Sequence, residues 1–328
     1  MKRYPIFRYA MVVFMAAFLS CKKDNYDPIG NNKPLPVLKL SSNVAMIPGT
    51  GGSIPIGISS NAEKFAFNPL ASWLSGTYGD KAVTVTAAAN TDEDVRESYL
   101  SVSTVTGQSE AQSALRAIQG GAGMQNIFVN MFRSSLSDDW KVLKTNGDWK
   151  ISDNALMTNS PGDVQSVMAF TSPDAETVRS SSHKFRLSVD VKNDNAWSGV
   201  VFHATDDQNF FYIGLNINPT SLFVIVDRIY NGGGSPMAMD PGIALSASRD
   251  AYLRCEIVTT TDNPDQFTLN VYELKTTGDI SMNTDVSVKQ KLAYTRTFTN
   301  SLMASGGYAG VWGKVGGGSF RRFVLTTN

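Results

Sequence analysis

The chain has 328 residues, 29 Lys+Arg against 29 Asp+Glu, and only 18% charged residues. With no basic surplus to neutralise a phosphate backbone, nucleic acid is excluded as a partner class. Two cysteines cannot build a disulfide scaffold, and the length suits two domains.

The first elements are those of an export signal. Lys2, Arg3 and Arg8 precede an apolar run from Ala10 to Leu19. That run is about half the length a membrane-spanning helix needs, so it reads as a signal over residues 1–20. It ends Phe18-Leu19-Ser20-Cys21, which resembles a bacterial lipobox. The resemblance implies a lipid on Cys21 and cleavage before it; an ordinary cleaved signal is the alternative. Several acyl chains would make a stable anchor where one would not. Cleavage removes three basic residues and leaves 26 against 29 acidic, a formal charge of −3. Residues 21–36 are rich in Lys, Asp, Asn, Pro and Gly and read as a flexible stalk. Asp24 and Asp27 favour an outward-facing, cell-surface lipoprotein of the outer membrane, whereas Lys22 and Lys23 oppose it and keep the periplasmic face open.

Residues 37–122 read as β. Lys81 to Ala87 alternates apolar and hydroxyl side chains, as does Tyr99 to Ser103, and Gly49-Thr50-Gly51-Gly52 and Asn90-Thr91-Asp92 supply turns. The succession Ala71-Ser72-Trp73-Leu74, Val83 to Thr91, Arg96 to Val102 and Ile118-Gln119 resembles the BACON domain. That resemblance implies an immunoglobulin-like β-sandwich, serving as a glycan binder or as a spacer. Trp73 is expected in the core or at its seam.

Residues 125–328 form a second all-β stretch. Phe185 to Lys192 is its clearest strand, with Phe185, Leu187, Val189 and Val191 on a buried face and Arg186, Ser188, Asp190 and Lys192 on a polar one. Further strands are expected over 198–204, 210–217, 222–230, 251–258, 267–274 and 310–312. Turns are expected at Asn231 to Gly234, Asp262 to Asp265 and Gly316 to Gly318. Cys255 shares a side with Leu253 and Ile257 and reads as a buried, inert thiol. An opening segment Phe132 to Trp140, then Gly147 to Leu156, Trp197 to Phe202, Asp206 to Tyr212 and Gly307 to Trp312 resemble the concanavalin A-like lectin/glucanase superfamily, laminin-G-like members included. The resemblance implies a jelly-roll sandwich whose last strand pairs with its first. One such fold hosts lectins, hydrolases and inert modules, so it does not choose among them.

Glycoside hydrolysis takes two carboxylates across the scissile bond. No E-x-D-x-x-E run is present. Val189 to Lys192 with Trp197-Ser198-Gly199 resembles, with Asp, Lys and Trp in place of Glu, Arg and Asn, the strand of 3-keto-disaccharide hydrolase-like proteins. The alternative catalytic residue is thus Asp190. Arg254 and Glu256 read as a solvated salt-bridge pair. No metal-ligand spacing surrounds His183 or His203. No cofactor is expected, although oxygens of Asp206-Asp207-Gln208-Asn209 would admit calcium. Sugar rings need an aromatic platform and a polar rim. The candidate ligand-binding residues are Trp197, Tyr212, Trp312, Asp190, His203, Arg254 and Tyr272; Trp140 and Trp149 are assigned to the core. Three functions remain open: a non-catalytic carbohydrate-binding lipoprotein, within a glycan-uptake complex or alone; a glycoside hydrolase using Asp190; and an adhesion module with a protein partner.

Overall fold

The structure is a computed structural model describing residues 34–328, apart from positions 106–109, 134, 146, 160–161, 173–183, 194–195, 261–262, 278–285, 302 and 304–305. The signal, Cys21, the stalk up to position 33, His183 and Asp262 lie outside the described residues. The described chain is all-β.

The first sandwich comprises β1 (Leu38–Leu40), β2 (Val44–Ile47), β3 (Gly52–Ser60), β4 (Phe65–Pro69), β5 (Leu74–Gly79), β6 (Ala82–Ala87), β7 (Arg96–Thr104) and β8 (Gln112–Gln119). They assemble as two four-stranded sheets, β1-β3-β6-β5 and β2-β8-β7-β4. Strand alternation decides what is buried: Val83 and Val85, Leu100 and Val102, Leu115 and Ala117 meet between the sheets. Trp73 packs on this core, and the Arg96 guanidinium lies 4.5 Å over its ring.

The second sandwich follows as β9 (Asn126–Asn130), β10 (Trp140–Lys144), β11 (Asp148–Ser152), β12 (Ala155–Asn159), β13 (Ser166–Phe170), β14 (Phe185–Lys192), β15 (Trp197–Ala204) and β16 (Phe210–Ile217). It continues with β17 (Ser221–Tyr230), β18 (Gly233–Ala244), β19 (Leu253–Thr259), β20 (Gln266–Thr277), β21 (Val286–Thr299), β22 (Tyr308–Lys314) and β23 (Gly318–Thr327). A seven-stranded sheet runs β10-β13-β22-β15-β16-β17-β18, and an eight-stranded one β11-β12-β23-β14-β19-β20-β21. β9 pairs with β23, so the first strand of this sandwich meets the last. The core between the sheets takes Leu187, Val189, Phe202, Ile213, Val224, Cys255 and Leu269. Trp140 joins it through edge contacts with Phe132, at 5.5 Å, and Phe323, at 4.9 Å. Burial pushes the Cys255 thiol well above the ordinary value, which keeps it protonated and unreactive.

Two expectations need correcting in detail. The Phe132–Trp140 segment enters a strand only at its last residue, and the opening strand is β9. Gly233 and Gly234 begin β18 rather than complete a turn: Asn231 and Gly232 make the turn, both at positive φ.

The join between sandwiches is held at both ends. Gly120 N–H donates to the Ile47 carbonyl at 3.0 Å, Ala122 to Asp92 at 2.8 Å, and Gln125 to Thr327 at 2.8 Å. A Cβ on Gly121 would collide with the Glu93 carbonyl, so only glycine fits. Consequently the first sandwich lies against the outer face of the eight-stranded sheet. The face of β14 expected to be polar is buried over most of its length: Arg186, Ser188 and Asp190 are each under 6% exposed, while Lys192 at its end stays exposed.

Candidate functional site

The structure divides the sequence candidates between two sheets. Asp190, Arg254 and Tyr272 stand on the eight-stranded sheet, and Trp197, His203, Tyr212 and Trp312 on the seven-stranded sheet. Asp190 and Trp197 are thus not brought together on one concave face.

Register places Asp190 directly opposite Arg254. Arg254 donates to both carboxylate oxygens, Nε to Oδ1 at 2.7 Å and Nη2 to Oδ2 at 3.1 Å. Burial pushes the Asp190 carboxyl up, but the charge and hydrogen bonds of Arg254, with Arg322 and Arg321 nearby, outweigh it and hold the carboxyl below the ordinary carboxylate range. It stays ionised, which is the wrong state for a general acid. Arg254 and Glu256 do not pair with each other in solvent. Glu256 accepts from Lys289 at 3.1 Å, and Arg186 approaches it at 3.9 Å. Asp94 of the first sandwich bridges Arg186 and Lys289. The Lys289 ammonium also lies 4.3 Å over the Tyr272 ring. Asp190, Arg254 and Tyr272 therefore belong to the seam between sandwiches.

The outer face of the seven-stranded sheet is different. Its central row runs Trp312, Gly199, Gly214 and Ile225 across β22, β15, β16 and β17. The two glycines leave a floor without side chains. Trp312 fills it: a Cβ on Gly214 would lie 3.0 Å from its Cζ3 and 3.5 Å from Cε3 of Trp197. Tyr212 stacks on Trp312 at 4.3 Å and 12°, and its hydroxyl donates to Asp227 Oδ2 at 3.1 Å. Burial, then the Asp227 charge, push the Tyr212 phenol above its ordinary value, so it remains a neutral donor. Both rings are buried and form the base of the face.

Above that base, Trp197 and Phe223 are half-buried and meet edge-on at 5.1 Å and 69°. Asn193 fixes this end of the sheet, donating to Ser198 Oγ and the Leu215 carbonyl and accepting from the Ile217 N–H. Lys314 stands opposite Trp197 in register. Asn216 Nδ2 donates to the Ala196 carbonyl at 3.0 Å, while its Oδ1 accepts from Asn218 at 2.9 Å. The result is a two-ring platform edged by one cation and two amides. Sequence reasoning missed Phe223, whose partner Trp197 appears only once β15, β16 and β17 are in register.

His203 does not join the platform. Its ring sits among Phe185, Phe202 and Phe211, with centroids 5.6–6.1 Å away. Burial lowers its pKa to about 4, against a backbone contact with Gly306 that raises it. The Asp206 carboxylate is occupied by its own turn, accepting from the Gln208 N–H at 2.8 Å and from Asn209 Nδ2 at 2.9 Å. Among the described residues no group of three or more His, Cys, Asp or Glu is placed to hold a metal.

No protein-family model matches the chain, and no curated protein matches it. Among solved structures, it is similar to carbohydrate binding module CBM66 from Bacillus subtilis, with 13% identity and a TM-score of 0.39 over 57% of this chain and 95% of that one. It is also similar to the GH43 protein BlXynB from Bacillus licheniformis, with 10% identity and a TM-score of 0.38 over 77% of this chain and 64% of that one. A third is the Bacteroides ovatus xyloglucan PUL GH43B, with 9% identity and a TM-score of 0.38 over 84% of this chain and 71% of that one. These are remote likenesses, below the level from which a shared activity follows.

Proposed function

We propose that this protein is a non-catalytic carbohydrate-binding lipoprotein, held by a lipid on Cys21 and presenting its second sandwich to a polysaccharide at the cell surface. In this reading the first sandwich is an immunoglobulin-like spacer and the second a concanavalin A-like jelly-roll. The supporting observation is the Trp197–Phe223 platform on the outer face of the seven-stranded sheet, edged by Lys314, which Asp163 Oδ1 approaches at 3.5 Å. Aromatic rings accept the apolar face of a sugar, and Lys314, Asn216 and Asn218 can meet its hydroxyls. Asp227 lies on that face but is buried, accepting from Tyr212 and from the Arg228 and Ser235 N–H groups. Hydrolysis would need a second, facing carboxylate.

The test is retention on immobilised polysaccharides in affinity electrophoresis. Trp197→Ala should weaken binding to the retained polysaccharide roughly tenfold or more, the equivalent of about 1.4 kcal/mol or more, with the β-sheet far-UV circular dichroism retained. Retention equal to wild type in both Trp197→Ala and Phe223→Ala would reject the platform.

A further inference from the structure

A cleft of about 1070 Å³ separates the two sandwiches. One wall is the outer face of the β2-β8-β7-β4 sheet, where Asn68 on β4, Ser101 on β7 and Gln112 on β8 stand among the apolar Val44, Tyr99 and Ala114. Gln112 Nε2 donates to Ser101 Oγ at 2.6 Å. The opposite wall is the segment following β9. There Phe132 turns inward at φ 52°, a left-handed conformation costly for a bulky residue, and is fully buried against Trp140. Its N–H donates to Asn130 Oδ1 at 2.7 Å, which fixes the turn. With Phe132 inside, Met131 and Arg133 line the cleft.

The same two residues, with Arg116, also line a second cavity of about 170 Å³, so the two adjoin. Four guanidiniums border this chamber: Arg116, Arg133, Arg321 and Arg322. Its bordering acids are Asp190, already gripped by Arg254, and Asp153 at the exposed mouth. Glu97, behind it, is shared by Arg116 at 3.1 Å and Arg322 at 3.5 Å. Arg322 is 2% exposed and donates one hydrogen bond, from Nη1 to Ser188 Oγ at 2.9 Å; its Nε has none. Arg321 itself lies 3.8 Å from Asp190 Oδ2 and 3.8 Å from Asp250 Oδ2. Arg116, Arg133, Arg254, Arg321 and Arg322 thus face Glu97, Asp153, Asp190 and Asp250, an excess of one positive charge around a buried guanidinium whose Nε, 3.5 Å from Glu97, makes no hydrogen bond. Burial and the neighbouring Arg254 charge lower the Arg322 pKa to about 10, in keeping with that excess.

We propose that this cleft binds an acidic saccharide, its rings against the mixed polar and apolar wall and one oxyanion, a carboxylate or a sulfate ester, held by the arginines of the adjoining cavity. Guanidinium planes match such anions bidentately. The site is separate from the Trp197 platform and stands whether or not that platform binds sugar.

Titration calorimetry on the full chain tests it with oligogalacturonate, its methyl ester, a sulfated galactan oligosaccharide and inorganic sulfate. The expected result is binding of at least one of the two charged saccharides, weakened by added salt. The methyl ester and inorganic sulfate should bind at least roughly tenfold more weakly than that saccharide. Whichever charged saccharide binds more tightly identifies the anion. Arg133→Gln, on an exposed segment, and Ala114→Trp, which fills the trough from β8, should each lose at least roughly tenfold in affinity. The proposal is overturned if neither charged saccharide binds, if the methyl ester or inorganic sulfate binds equally well, or if both cleft variants, melting as wild type does, bind normally.

Discussion

His203 shows how a polar residue can be structural in one charge state only. Its ring is nine-tenths buried among three phenylalanines, and burial lowers its pKa to about 4. An unfolded histidine titrates near 6.5. Above that value both states are neutral and stability does not depend on this group. As pH falls from about 6.5 toward 4, the unfolded chain takes up a proton that the folded chain refuses, so stability is lost progressively; the full effect is about 3 kcal/mol. Urea denaturation at pH 7.5 and pH 5 should show this loss in wild type. His203→Asn keeps a residue tolerant of the local φ of 49° and should remove this pH-dependent part, whatever constant cost it adds. An identical pH response in the variant would assign the loss to other groups. The sequence could not show this, because His203 precedes Ala204 in a strand whose alternation is broken by a register shift between Val201 and Ala204.

At the scale of the element, alternation makes some strands plain and leaves others hidden. β14, β16 and β19 read directly, since each places branched or aromatic side chains on one face. The edge strands β18 and β21 do not. β18 carries Pro236 and Pro241 and is mostly exposed, and β21 carries Lys289, Lys291 and Arg296 along a largely open length. Those are features that protect a sheet edge, and they erase the apolar rhythm by which a strand is recognised. The two edges are tied by Asp240 of β18, which accepts from Tyr294 and from Arg296 of β21 at 2.9 Å. The glycine floor was equally hidden, because Gly199 and Gly214 become a row only in register. Gly214→Val would push against both Trp312 and Trp197. Overpacking of this kind costs about 1–3 kcal/mol. The expected result is a melting temperature lower by several degrees, a changed near-UV circular dichroism from the displaced indoles, and weaker retention on polysaccharide. Unchanged near-UV ellipticity would show that the rings do not lie across Gly214.

For the whole molecule, the all-β class was legible from alternation and turn spacing, but the way the sandwiches cover each other was not. Arg186, Ser188 and Asp190 alternate with apolar residues just as a solvated face would, and nothing local distinguishes water from a second sandwich above them. What replaces water is charge of opposite sign from a remote part of the chain. Glu97 of β7 is the centre of that exchange, with its side chain 7% exposed between Arg116 and Arg322. Burial raises its carboxyl pKa, but Arg322, Arg116 and Arg254 outweigh burial and leave it below the ordinary glutamate value. Its stabilisation is therefore present above about pH 4.3 and fades as pH falls through the lower folded value. Glu97→Gln keeps the shape and removes the charge, leaving two buried guanidiniums without their shared partner. Breaking such a network costs about 3–5 kcal/mol. Because Arg322 belongs to the second sandwich and Arg116 to the first, the loss falls on the contact between them. Calorimetry should show one cooperative transition in wild type and an earlier, separable transition of one sandwich in Glu97→Gln. If the variant melts in a single transition at the wild-type temperature, the ion network is not what couples the two domains, and the pinned join at Gly120 to Gln125 must do so alone.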